Sequence, residues 1–199
     1  RPHGMNVILP HLDSRVGDIE ANARMILDLA QSVQGNVLLT PELALCGYPP
    51  RDLLFRDGFV TRCEQVMESL AANLPPDMLV IVGCPRSGDS KTGRCYNSLA
   101  VCRGGRIEAW SSKQLLPGYD VFDDDRYFLP GSSSQWIDHA GHRIGLLVCE
   151  DLWQAGDVRE HANNRSRHSP RGNAGRARKS AAPSRCRAAS GSTRDSFAD

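Results

Sequence analysis

Branched aliphatic residues stop at Val158 in this sequence of 199 residues. Residues 160–199 contain no Val, Ile, Leu or Met and no Trp or Tyr; their apolar residues are Ala, Cys186 and Phe197, set among Arg, Ser, Gly and Pro. Such a segment buries too little apolar surface to offset the conformational entropy that ordering would cost. We therefore predict a core built from residues 1–159 and a disordered, basic tail at residues 160–199.

The charge changes at the same boundary. Residues 1–159 hold 15 Lys and Arg against 20 Asp and Glu, a net −5, whereas residues 160–199 hold 9 against 3, a net +6. A GC-rich gene read out of frame would produce this tail composition, and a native linker is the alternative. The tail lacks the aromatic residues on which bases stack, and the whole chain carries only +1. We expect no nucleic-acid partner.

Membrane, disulfide and zinc proteins are disfavoured by other patterns. The longest apolar runs, Met78 to Val82 and Gly145 to Cys149, are far shorter than the ~20 residues of a membrane span. The seven Cys are scattered, without a CxxC pair or a signal peptide, which favours a reducing cytoplasm. Of the six His, only His139 and His142 approach zinc-ligand spacing, so we predict no metal site.

Residues 1–159 alternate strands with amphipathic helices. Asp18 caps a helix that Gly35 ends, and a second helix covers about Gly58 to Ala72. The turn signals Gly104-Gly105 and Ala140-Gly141 indicate hairpins. This order predicts an α/β layered sheet with mixed strand directions. The predicted strands are Val7 to Leu9, Asn36 to Thr40, Met78 to Cys84, Ser98 to Cys102, Arg106 to Trp110, Ser134 to Asp138 and Arg143 to Cys149.

Three side chains stand near predicted strand ends, where α/β sheets present reactive groups. Cys149 ends an apolar strand, Glu42 follows the strand at residues 36–40, and Lys113 follows the strand that begins at Arg106. Each has an ordinary alternative: a buried small thiol, an exposed loop acid and a solvated lysine. Spacing alone does not join them into one site.

Four strings of residues resemble the carbon–nitrogen hydrolase (nitrilase) superfamily. They are Pro-Glu-Leu-Ala-Leu-Cys-Gly-Tyr-Pro-Pro-Arg-Asp-Leu-Leu at 41–54, Lys-Gln-Leu-Leu-Pro at 113–117, Val-Phe-Asp with Arg-Tyr-Phe at 121–128, and Cys-Glu-Asp-Leu-Trp at 149–153. The first two strings are similar, more narrowly, to the glutaminase domain of glutamine-dependent NAD synthetases. The likeness runs from about Val7 to about Arg159 and implies a nitrilase-like α-β-β-α sandwich.

The resemblance also implies a thioester mechanism. Cys149 would be the nucleophile, Glu42 the general base and acid, and Lys113 the stabiliser of the oxyanion. Tyr48, Tyr119 and Phe122 would line the glutamine pocket, and Glu150 would meet the ammonium group of the substrate. A thiolate beside Lys113 should react with iodoacetamide before the buried Cys84 and Cys102 do.

The implied partners are glutamine, a synthetase domain that takes up ammonia, and further copies of the chain in a homo-oligomer. No cofactor is implied for the glutaminase part, whereas ATP and Mg belong to the synthetase part, which we do not find in this sequence. The second half of the family's sheet is also not found, so the sandwich is expected to be incomplete.

Two departures from the family pattern affect the expected site. Pro10-His11 stands where the family's first strand usually continues, which should weaken the end of that strand. Asp124 stands where the family has Glu, and the missing methylene is expected to lengthen a supporting hydrogen bond.

Alternatives remain from other classes. The chain could be a stand-alone amidase or nitrilase, or a non-catalytic fragment. Because covering layers of the sheet would be missing, we expect the 199-residue chain alone to be poorly ordered and to hydrolyse glutamine no faster than its Cys149→Ala variant.

Overall fold

A computed structural model describes residues 4–118, 123–133 and 135–153, and the backbone of residues 187–189. Four α-helices and eight strands lie in these ranges, with a 3₁₀ helix at Arg51–Phe55. The helices are α1 (Ile19–Ser32), α2 (Phe59–Asn73), α3 (Asp124–Tyr127) and α4 (Glu150–Trp153). The strands are β1 (Val7–Ile8), β2 (Val37–Leu39), β3 (Leu79–Asp89), β4 (Arg94–Arg103), β5 (Arg106–Ser112), β6 (Gln135–His139), β7 (His142–Leu146) and β8 (Arg187–Ala189).

The first sheet has five strands in the order β1-β2-β3-β4-β5. Strands β1, β2 and β3 are parallel, whereas β4 is antiparallel to both β3 and β5. The predicted mixed strand directions are therefore confirmed. Because β4 reverses the chain once and β5 reverses it again, β2 and β5 run in the same direction and end at the same edge of the sheet.

Two apolar layers cover the two faces of this sheet. The helix-facing side packs α1 and α2 against alternate strand residues such as Leu38, Val80 and Val82. The opposite face, which includes Leu39 and Ile81, packs against the second sheet. Successive side chains of a strand point to opposite faces, so the continuous apolar runs at β2 and β3 match burial on both sides.

The second sheet consists of β6, β7 and β8. Strands β6 and β7 form an antiparallel hairpin, and Ile137, Ile144, Leu146 and Val148 point from it into the layer between the sheets. The described layers are thus helix, sheet and sheet. This matches the predicted sandwich, whose second helical layer has no counterpart among the described residues.

Three residues of the predicted tail have a described backbone. Arg187–Ala189 forms β8, which pairs in parallel with β7. The disorder of the tail as a whole stays a prediction. The free backbone groups of an edge strand accept any extended segment, so an Arg-Ala-Ala sequence suffices for such pairing. The rest of residues 154–199 lies outside the described residues.

The predicted helices and hairpins are confirmed. The Asp18 carboxylate caps α1 by accepting the Ala21 N–H at 3.3 Å. Both residues of the turns Gly104-Gly105 and Ala140-Gly141 have positive φ, as a two-residue hairpin turn of type I′ requires. Strand β1 is only two residues long and ends before Pro10, in line with the expected weak end.

Several strand ends differ from the prediction, among them the ends of β3 and β7. Strand β3 runs on to Asp89, because β4 pairs with it as far as Arg94. Strand β7 ends at Leu146, so Cys149 lies in the connection to α4 rather than at the end of a strand. None of the described helices has the length and apolar character that crossing a bilayer requires.

Candidate active site

Glu42 and Lys113 follow the two strands that end at the same edge of the first sheet. Glu42 comes three residues after β2, and Lys113 directly follows β5. Gly83 of β3 lets the Glu42 loop lie against the sheet, since a Cβ at Gly83 would stand 2.3 Å from the Pro41 carbonyl oxygen. Cys149 comes to the same place from the second sheet, in the connection between β7 and α4.

Lys113 is the centre of a buried ion-pair network. Its ammonium Nζ donates to Glu42 Oε1 at 2.9 Å and to Asp124 Oδ2 at 2.7 Å. The exposed fractions of the three side chains are 2% for Lys113, 14% for Glu42 and 9% for Asp124. Burial opposes the positive charge, but the two carboxylates outweigh it and raise the pKa of Lys113. Lys113 is therefore a cation at neutral pH.

The expectation that Asp124 would lengthen a hydrogen bond differs from the structure. Asp124 is the first residue of α3, and its backbone N–H donates to the Pro117 carbonyl at 3.1 Å. This places α3 close enough for the shorter side chain to reach the ammonium directly. The Asp124 side chain thus makes this contact at an ordinary hydrogen-bond distance of 2.7 Å.

The carboxylate of Glu42 is fixed from two sides. Besides the Lys113 ammonium, Oε1 accepts a hydrogen bond from Asn97 Nδ2 at 2.6 Å. Asn97 is buried in β4, and its carbonyl accepts the backbone N–H of Lys113 at 2.8 Å. One residue therefore orients both members of the pair. Its side-chain oxygen Oδ1 is buried without a hydrogen-bond partner.

The thiol of Cys149 is partly exposed, and its backbone is left-handed with φ of +44°. Burial, the negative charge of Glu42 and a hydrogen bond with Glu42 raise its pKa to about 11, while Lys113 acts in the opposite direction. The raised pKa disfavours the thiolate at neutral pH, and the predicted reactivity of Cys149 stays a prediction. A thiol with a raised pKa needs a group that takes its proton as the sulfur attacks.

Of the other predicted site residues, the structure describes two. Tyr48 is 45% exposed, and burial followed by the charges of Glu42 and Asp124 raises its pKa to about 12. Glu150 is partly buried and begins α4 directly after Cys149. Tyr119 and Phe122 lie outside the described residues.

Two buried polar residues of this region were not predicted. Asn97 lies in β4 just before the predicted strand Ser98 to Cys102, and no sequence motif marked it. Asp151 is buried two residues after Cys149 and accepts three backbone hydrogen bonds. Within the described ranges, no group of three or more His, Cys, Asp or Glu could hold a metal ion.

Known proteins resemble this chain in sequence. No family model matches it. The glutamine-dependent NAD(+) synthetase of Synechocystis sp. is 40% identical over 154 residues, which cover 74% of this chain and 28% of that protein. The synthetase of Xanthomonas campestris is 37% identical over 159 residues, covering 77% of this chain and 28% of that protein. The chain thus spans little more than a quarter of the length of these relatives.

Solved structures show the same relationship. The glutamine-dependent NAD+ synthetase of Acinetobacter baumannii superimposes with a TM-score of 0.70 at 29% identity, covering 81% of this chain and 30% of that one. An amidase of Nesterenkonia sp., described as a member of the nitrilase superfamily, superimposes with a TM-score of 0.68 at 22% identity, covering 82% of this chain and 63% of the amidase. At that identity the amidase supports the fold alone. The chain is therefore a homologue of the glutamine-dependent NAD(+) synthetases and has a nitrilase-like fold.

Proposed function

We propose that Cys149, Glu42 and Lys113 form a glutaminase site that releases ammonia from the side-chain amide of glutamine. The observation that carries this proposal is the partly buried Glu42 carboxylate, which accepts a hydrogen bond from the Lys113 ammonium at 2.9 Å and acts on the pKa of the Cys149 thiol. An amide is a poor electrophile with a poor leaving group, so its hydrolysis near neutral pH needs a nucleophile, a proton carrier and an oxyanion stabiliser. The three side chains supply these functions.

In the first half of the reaction, Glu42 removes the proton from Cys149 as the sulfur attacks the amide carbon. The carbonyl π electrons move to oxygen, and the Lys113 ammonium with the backbone N–H of Glu150 stabilises the resulting oxyanion. When this intermediate collapses, the C–N bond breaks and Glu42 returns the proton to the leaving ammonia. A glutamyl thioester on Cys149 remains.

In the second half, water attacks the thioester. Glu42 takes a proton from the water, and the same oxyanion donors act on the second tetrahedral intermediate. The C–S bond breaks, the sulfur regains its proton from Glu42, and glutamate leaves. Each cycle consumes one glutamine and one water, produces one glutamate and one ammonia, and restores the starting protonation state of Glu42.

The proposed pocket for glutamine combines Tyr48 with Tyr119 and Phe122 along the substrate side chain, and Glu150 at its ammonium group. The effect of the Glu42 and Asp124 charges on the pKa of Tyr48 supports this assignment. Glu150 is adjacent to the nucleophile in the chain, which suits a group that holds one end of a short substrate.

The proposed use of the ammonia is amidation of adenylylated nicotinic acid adenine dinucleotide by a synthetase domain. ATP and Mg²⁺ would act in that domain, and the donor set of the described residues does not fit a metal ion. We further propose a domain boundary near residue 159, a homo-oligomeric assembly and a reducing cytoplasm. The six described cysteines are all free thiols, which supports that compartment.

The test uses a hybrid synthetase, in which residues 4–153 of this chain replace the matching segment of the Synechocystis relative. We expect Cys149→Ala to abolish NAD formation from glutamine and to leave formation from added ammonia intact, because only the glutaminase step uses the thiol. Cys102→Ala is the matched control, since Cys102 is buried in β4 and should leave both rates unchanged.

Survival of the glutamine-dependent rate in Cys149→Ala would contradict the assignment of the nucleophile. A hybrid that hydrolyses simple amides through Cys149 but not glutamine would instead favour the amidase alternative.

A further inference from the structure

Asp151 is a buried carboxylate with no part in the proposed proton transfers. Its exposed fraction is 1%, and no Lys or Arg of the described ranges forms an ion pair with it. A buried charge without a counter-ion is costly unless hydrogen bonds compensate it. The burial of Asp151 therefore requires compensating hydrogen bonds.

Three backbone N–H groups provide the compensation. Oδ1 accepts from Gln114 at 3.0 Å and from Leu115 at 2.8 Å, and Oδ2 accepts from Val148 at 3.2 Å. Hydrogen bonds to an ionised acceptor are stronger than those between neutral groups. All three donors are backbone atoms, so the carboxylate fixes the path of the chain rather than another side chain.

The three donors come from two segments that carry reacting groups. Gln114 and Leu115 directly follow Lys113, whereas Val148 directly precedes Cys149. The first segment extends from the first sheet and the second from the second sheet. Asp151 thus joins the backbone beside the ammonium to the backbone beside the thiol.

Helix capping does not account for this pattern. A capping carboxylate bonds to N–H groups of its own helix, but two of the three donors lie 36 and 37 residues away in the sequence. The local bond to Val148 is matched by a return bond, in which the Asp151 N–H donates to the Val148 carbonyl at 3.1 Å. This local pair holds the turn that gives Cys149 its left-handed backbone.

We propose that Asp151 is a positioning residue that sets the distance between the Lys113 ammonium and the Cys149 thiol. The inference rests on the proposed glutaminase function for its kinetic test. Asp151 touches neither substrate nor reacting atoms, so it should affect the rate of the chemical step and not the binding of glutamine.

The kinetic test compares Asp151→Ala with Asp151→Asn in the hybrid synthetase. Misplacement of a catalytic group by about 1 Å can lower a rate about 100-fold, so we expect Asp151→Ala to lower kcat for glutamine by about that factor with KM unchanged. Asn keeps an oxygen for Gln114 and Leu115, and we expect it to restore kcat to within about tenfold of wild type. Asp138→Ala is the matched control, because Asp138 is an exposed acid that forms an ion pair with Arg143 at the surface.

A second readout needs no substrate. Lys113 favours the thiolate of Cys149, so loosening the Lys113 segment should slow alkylation of Cys149 by iodoacetamide in Asp151→Ala. Asp151→Asn, which removes the charge but keeps most of the hydrogen bonds, should react like wild type. We would measure the alkylation rates and melting temperatures of both variants in the 199-residue chain and in the hybrid. The result in the hybrid decides.

The outcomes separate the two proposals. Slow alkylation in Asp151→Ala, in a hybrid that releases no ammonia from glutamine, would refute the glutaminase function and support positioning. An unchanged kcat in Asp151→Ala would overturn positioning. Equal losses of kcat in Asp151→Ala and Asp151→Asn at a wild-type melting temperature would also overturn it. The effect would then come from the lost charge and not from the hydrogen bonds. If Asp151→Ala fails to fold, Asp151→Asn decides: a kcat within about tenfold of wild type supports positioning, and a larger loss at a wild-type melting temperature overturns it.

Discussion

Replacing Lys113 with Met should damage both the stability and the chemistry of the site. Met keeps much of the length of the lysine stem, so the change removes mainly the positive charge. That charge lies 2.9 Å from Glu42 and 2.7 Å from Asp124, and none of the three side chains is more than 14% exposed. Breaking a buried pair by removing one partner typically costs about 3–5 kcal/mol. We expect the free energy of unfolding to fall by about 3 kcal/mol, at the low end of this range, because Glu42 keeps its hydrogen bond from Asn97.

The substitution should also lower kcat. Removing one oxyanion donor lowers kcat about 100- to 1,000-fold in other enzymes, and we expect a loss in that range for glutamine-dependent NAD formation. The assay is the ratio of glutamine-dependent to ammonia-dependent rates in the hybrid synthetase, since the ammonia-dependent rate reports on the rest of the protein. Lys91→Met is the control, because Lys91 lies in an exposed turn.

The pH dependence of stability follows from the raised pKa of Lys113. A raised folded-state pKa contributes stability that is fully present below the usual value of 10.5 and is lost as pH rises through the folded-state value. The difference in melting temperature between wild type and Lys113→Met should therefore be the same at about pH 7 and about pH 9. Adding Asp124→Leu to Lys113→Met should recover part of the melting temperature, because it removes one uncompensated buried carboxylate.

Two results would refute this reasoning. If Lys113→Met melts like wild type, the ion-pair network does not stabilise the fold. If the ratio of glutamine-dependent to ammonia-dependent rates falls less than about tenfold, Lys113 contributes less to kcat than oxyanion donors do in other enzymes.

Three further predictions concern the same network. The alkylation rate of Cys149 should rise with pH up to about 11. Glu42→Gln should shift this pH profile to lower pH and abolish glutamine hydrolysis, because Glu42 both opposes the thiolate and carries the proton. Peptide mapping after iodoacetamide treatment measures the profile, and a profile that does not move would contradict the effect of Glu42 on the thiol. Asn97→Ala should lower glutamine-dependent activity at least about tenfold through the loss of a charge-assisted hydrogen bond to Glu42, and steady-state kinetics of the hybrid would test this. Gly83→Ala should lower the melting temperature, because its Cβ would stand 2.3 Å from the Pro41 carbonyl oxygen, and an unchanged melting temperature would show that the loop adapts.

Local patterns in the sequence determined most of the secondary structure. The 3.6-residue period, the Asp18 cap and the paired turn residues act over a few positions, so α1, α2 and both hairpins were predictable. The strand ends were less predictable, because pairing with a neighbouring strand decides where a strand stops. Strand β3 extends as far as β4 can pair with it, and β7 pairs with β6 as far as Leu146.

The sequence also named Glu42, Lys113 and Cys149 through motifs, but their chemistry depends on contacts between distant residues. Glu42 meets Asn97 across 55 positions of the chain and Lys113 across 71. Charge and burial at such contacts determine that Lys113 is a cation and that Cys149 rests as a thiol, because a pKa responds to distance and desolvation rather than to neighbours in the sequence. Asp151 shows the same limit. The sequence places it two residues after Cys149, and only the packing of two sheets brings its carboxylate to the backbone beside Lys113.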